Sequence, residues 1–73
     1  MPTYTLVITG AKDGHQHTTL TTFGDDATAV GDVKHVLTAD HTSVAVGRGA
    51  ADSVEFLGVW DWCEGEPRWT PDE

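Results

Sequence analysis

The stretch from Val54 to Trp62, Val-Glu-Phe-Leu-Gly-Val-Trp-Asp-Trp, is the densest run of β-branched and aromatic residues in the chain and constrains its fold more than any other. Side chains alternate along a strand, so Val54, Phe56, Gly58, Trp60 and Trp62 fall on one face and Glu55, Leu57, Val59 and Asp61 on the other. Neither face is wholly polar. A strand that is apolar on both sides belongs in a sheet covered on both sides, and a chain of 73 residues has little material for two covering layers. A partner is therefore expected, in the first instance another copy of the same chain.

A domain of this length buries only about 60% of the surface that its unfolded chain exposes, so any additional tie matters. The single cysteine, Cys63, excludes an intramolecular disulfide and a multi-cysteine zinc site. The first residues, Met-Pro-Thr-Tyr-Thr-Leu-Val-Ile-Thr-Gly, lack a basic segment before a short apolar run, which predicts a soluble, cytoplasmic protein. Four Lys and Arg stand against twelve Asp and Glu, a net charge of −8 and a pI near 4.6. Direct binding to nucleic acid or to an anionic membrane is disfavoured, because both need a basic patch and only Lys12, Lys34, Arg48 and Arg68 are available.

In chain order, Thr3 to Thr9 reads as a strand with Tyr4, Leu6 and Ile8 on one face. Asp13-Gly14 is a strong two-residue hairpin signal, since both central positions of a type I′ turn need positive φ. It predicts a second strand, His15 to Phe23, in which Ile8 faces Thr19, Leu6 faces Thr21 and Tyr4 faces Phe23. The reverse face then collects Thr5, Thr9, Thr18 and Thr22 around Val7 and Leu20, and is expected to meet solvent. After Gly24 the period changes: Ala29, Val30, Val33, Val36 and Leu37 form a helical stripe. Asp25 or Asp26 is the expected N-cap, and the helix is expected to run about 14 residues, to Ala39 or Asp40. Thr42 to Arg48 reads as a third strand, joined to Val54 to Trp62 by a short loop of small residues. The expected architecture is α+β, a two-layer ββαββ domain over residues 1–63 with one helix packed on a four-stranded, mainly antiparallel sheet. Residues 64–73, with two prolines and four acids, are expected as an acidic extended tail.

Candidates for chemistry are sparse. His15-Gln16-His17 places two imidazoles on one face of a strand, a spacing that metal sites use, but two ligands do not make a site. Asp40, His41 and Cys63 lack a local nucleophile signature, and a small buried thiol is the simpler reading of Cys63. Gly47-Arg48-Gly49 resembles a fragment of an anion-binding loop, but no helix follows it and a hairpin end explains the glycines. Tryptophan, in contrast, is enriched where proteins meet.

The leading expectation is thus a small non-enzymatic interaction domain, without cofactor, that self-associates as a homo-oligomer or binds a protein through an apolar sheet face. Leu57, Val59, Trp60 and Trp62 are the expected interface residues, with Arg48 as a polar rim contact. One alternative is an acidic inhibitor or nucleic-acid-mimicking decoy that occupies a basic protein surface. The other is a metal- or anion-binding module built on His15 and His17 or on Arg48.

Overall fold

A computed structural model describes residues 2–12, 14–50 and 52–72. The element order is β1 (Thr3–Gly10), β2 (Gln16–Thr22), α1 (Asp26–Val33), a 3₁₀ turn (Lys34–Val36), β3 (His41–Arg48), β4 (Glu55–Cys63) and β5 (Glu66–Pro71). The five strands form one sheet in the order β2-β1-β3-β4-β5, and every neighbouring pair is antiparallel. The α+β class with one helix on a sheet holds; the four-strand count and the ββαββ order do not, because a fifth strand follows β4 and makes the order ββαβββ.

The additional strand lies in the segment expected as a tail. Glu64 and Gly65 both have positive φ, 53° and 82°, the signature of a two-residue type I′ hairpin, and Cys63 pairs with Glu66 across it. Two prolines do not prevent the strand, because they lie on its free side. Asp72 donates its amide to Leu57 at 3.0 Å, which fixes the even-numbered residues as those bonded to β4. Pro67 and Pro71, odd-numbered, would point their missing N–H groups away from the sheet, where no ladder bond is lost.

The first hairpin keeps its predicted faces but shifts by two residues. Ile8 pairs with His17, Leu6 with Thr19 and Tyr4 with Thr21, and Gly10 donates to His15 at 2.8 Å. The connection therefore spans residues 11–14, not a two-residue turn; Asp13, half of the predicted turn, lies outside the described residues, and Gly14 has φ 70°. A shift of two preserves side-chain parity. Phe23 now follows the strand opposite Pro2, yet its ring still meets that of Tyr4 edge-on at 5.5 Å.

Asp25 caps α1, its carboxylate accepting the Thr28 amide at 2.7 Å. This contact, first with the amide and then with the Thr28 hydroxyl, holds the Asp25 carboxyl below its ordinary pKa. The helix has 8 residues and not 14. Gly31 and two valines, Val30 and Val33, give it little intrinsic preference, and at Leu37 the backbone turns extended, with φ −76° and ψ 93°. Leu37 still reaches the core, because the turn drops it there directly. Tyr4, Leu6, Ala29, Val33, Leu37, Val44 and Val46 make that core, with Ile8, Phe23, Val36, Leu57, Trp60 and Trp69 packed around it. At 1.5 Å per residue α1 is about 12 Å long, too short to cover five strands spaced about 4.8 Å apart. It sits over the middle of the sheet, and β2 is exposed along nearly its whole length.

Candidate functional site

The sheet face turned away from α1 is the candidate site, and a β-bulge in β4 shapes it. Val46 pairs with Gly58 but Gly47 pairs with Phe56, so Leu57 is the extra residue. Strict alternation would keep Phe56 with Trp60 and Trp62. The bulge instead sends Phe56 to the open face beside Val59, while Leu57 packs at the margin of the core. Phe56 is 42% exposed and Leu20, at the other side of the same face, is 58% exposed. Between them lie Val7, Ala45 and Val59, all half-buried.

A shallow apolar groove opens on this face, lined by Ala45, Phe56, Gly58, Val59, Thr70, Pro71 and Asp72. Gly58 allows β5 to approach: a Cβ there would stand 2.5 Å from the Thr70 carbonyl oxygen and 2.6 Å from the Trp69 ring. Along β1, β2 and β3 the open face carries only Thr, Ser, Val, Ala, Leu, Gln and Gly. Among the described residues, ionisable side chains enter it along β4 and β5, where Asp72 borders the groove, Asp61 stands opposite Arg68 and Cys63 opposite Glu66. Thr5, expected to face solvent, is buried instead, and its hydroxyl is satisfied by donating to the Gly49 carbonyl at 2.8 Å. At the charged end the Arg68 guanidinium lies 3.6 Å from the Cys63 sulfur, and Asp61 Oδ1 is buried with no hydrogen-bond partner among the described residues.

The residues singled out by sequence are distributed over both faces. Val59 lies on the open face. Trp60 lies under the helix, its Nε1–H donating to the Val30 carbonyl at 2.8 Å, its ring 5.6 Å from that of Trp69 and 5.9 Å from Lys34 Nζ. Trp62 is on the same side but 39% exposed, donating to the His41 carbonyl at 2.8 Å. Arg48 closes the helix-side layer, reaching Asp26 at 2.7 Å and Glu55 at 3.3 Å. Those carboxylates, Glu55 first, raise its pKa and hold its charge. Asp26 also accepts the Tyr4 hydroxyl, and this bond, then burial and the Asp26 charge, push the phenol up to about 12. Phe56 and Leu20 were not singled out: the bulge that turns Phe56 outward has no sequence signal except Gly58, and Leu20 reads as half of an ordinary cross-strand pair.

His15 and His17 flank the start of β2. His17 borders a second, polar cleft with Gly10, Lys12, Asp40 and His41. His41 is committed to the fold there: Nδ1 lies 2.9 Å from the Val36 carbonyl, which can only accept, so this nitrogen carries the proton. Among the described residues no group of three or more His, Cys, Asp or Glu is placed to hold a metal ion, and no helix is long and apolar enough to cross a membrane. Comparison with known protein families, with curated proteins and with solved structures returns no match.

Proposed function

We propose that this chain is a small, non-enzymatic protein-interaction domain that engages a protein, a second copy or a foreign chain, through the sheet face left open by its helix. One observation carries the reading: in a chain of net charge −8, the greater part of that face holds no ionisable side chain and exposes Leu20 and Phe56. Depletion of charge from the centre of a patch, with aromatic residues present, distinguishes protein interfaces from ordinary surface. Val59 and Phe56 line the groove at its centre, and Trp62, from the other face, is an exposed rim aromatic.

The test compares the wild-type chain with Phe56→Lys and Val59→Lys. Co-purification from the native cell is followed by reassembly of the identified pair from purified components, alongside light scattering of the chain alone. The reading expects an association that survives roughly 1 M salt, where the Debye length is about 3 Å, and that both folded variants abolish. An association that collapses with salt and ignores both variants would instead favour an acidic decoy on a basic surface, which the net charge alone supports.

A further inference from the structure

The two edges of the sheet differ in kind. On β5 the residues whose backbone faces away from β4 are odd-numbered, and two of them, Pro67 and Pro71, have no N–H to offer. Glu66 and Arg68 add charge to the same strand. Proline and charge are the devices by which proteins blunt an edge against further pairing. On β2 none of these devices is present. Gly10 donates to His15 and Phe23 to Pro2, so the odd-numbered residues of β2 face β1 and the backbones of Gln16, Thr18, Leu20 and Thr22 face outward. The strand holds no proline, glycine, Lys, Arg, Asp or Glu, and it is rich in threonine, a strong β-former.

We propose that β2 pairs antiparallel with β2 of a second copy of this chain, joining two five-stranded sheets into one continuous sheet. The chain itself specifies this occupant. In the register that places Thr19 opposite Thr19 of the partner subunit, Gln16 meets Thr22 of the partner subunit and Thr18 meets Leu20 of the partner subunit. All four outward residues of both copies are then used at once. A two-fold axis normal to the sheet satisfies this pairing, and the same surface serves both subunits. Charge permits it: β2 itself carries no Lys, Arg, Asp or Glu, so two copies of net charge −8 meet along it without setting like charges opposite one another. Because the axis is normal to the sheet, the open faces of the two copies lie on the same side and merge. The inference rests on the edge, not on that face, and it extends the proposed function by doubling the surface available to a partner.

The test uses the full chain. Thr18→Pro removes an outward N–H and leaves every β1–β2 bond in place; Thr19→Lys, on the side of the sheet opposite the open face, sets two like charges across the two-fold without altering the backbone. Light scattering at about 100 μM should show a wild-type dimer, and both variants should be monomers with unchanged circular dichroism. Hydrogen exchange at the Gln16, Leu20 and Thr22 amides of the wild type should be at least about tenfold slower in the dimer than after dilution to monomer. If Thr18→Pro fails to fold, Thr19→Lys and the exchange pattern decide. A monomeric wild type, or a dimer retained by the folded variants, overturns the proposal. A dimer abolished by Val59→Lys but kept by Thr18→Pro also overturns it, and leaves the open-face reading standing.

Discussion

The indole Nε1–H of Trp60 donates to the backbone carbonyl of Val30 at 2.8 Å, tying the bulged strand β4 to the middle of α1. A short helix with weak intrinsic preference is thereby held by a side chain far away in sequence, and Lys34 and Trp69 pack on the same ring. Trp62 repeats the device at the first residue of β3, through the His41 carbonyl.

Trp60→Ala removes both the ring and the tie, and should cost about 3–5 kcal/mol in urea unfolding, close to the whole stability of a small domain. Trp60→Phe keeps most of the ring volume but abandons the Val30 carbonyl, for a loss of about 1–3 kcal/mol. Trp62→Phe should cost less than Trp60→Phe, since the Trp62 ring is 39% exposed and water can replace the bond. Equal losses at the two positions would contradict the distinct roles assigned to them.

Gly58→Ala should destabilise the domain by about 1–3 kcal/mol, although alanine is the smallest substitution possible. The added methyl would meet the Thr70 carbonyl and the Trp69 ring, so β5 must retreat from β4. Amide exchange should show the loss concentrated in Glu66–Pro71, with β1 and β3 still protected. Uniform loosening would mean that the close approach of β5 is not what Gly58 permits.

Stability should fall at high pH through Tyr4. Its pKa in the folded chain is raised to about 12, above the ordinary phenol value near 10, so its contribution is fully present below pH 10 and is lost as pH rises toward 12. Tyr4→Phe cannot hydrogen-bond Asp26 and should melt lower at pH 8, but its melting temperature should decline less than that of the wild type between pH 10 and 12. Parallel declines would place the alkaline loss elsewhere.

At the acid end the sign reverses. The folded-state pKa of Asp25 is depressed by the Thr28 amide, so its contribution is present above the ordinary carboxyl value near 4 and disappears as pH falls below it. Asp25→Asn retains a capping oxygen that does not titrate. Thermal melts from pH 7 to 3 should show a shallower decline for this variant, and Asp25→Ala should melt lower than the wild type at pH 7.

Sequence alone determined the elements whose cause is local. Alternation defined β1 and its inward face of Tyr4, Leu6 and Ile8; a capping carboxylate, Asp25 or Asp26, marked the start of the helix; the three-and-four spacing gave the stripe Ala29, Val30, Val33, Val36 and Leu37, of which Ala29, Val33 and Leu37 are buried. Tertiary structure decided what depends on neighbours. Glu64-Gly65 forms a type I′ turn without the usual Asn or Asp, and β5 accepts two prolines only because it ends the sheet and turns them outward. The bulge at Leu57 moved Phe56 across the sheet to the groove beside Val59, a reversal that strict period-two reading cannot contain. The division has one physical reason. Propensity, capping and amphipathic spacing act within a few residues, whereas strand order, register and the choice of exposed face depend on which backbone groups find partners across the sheet.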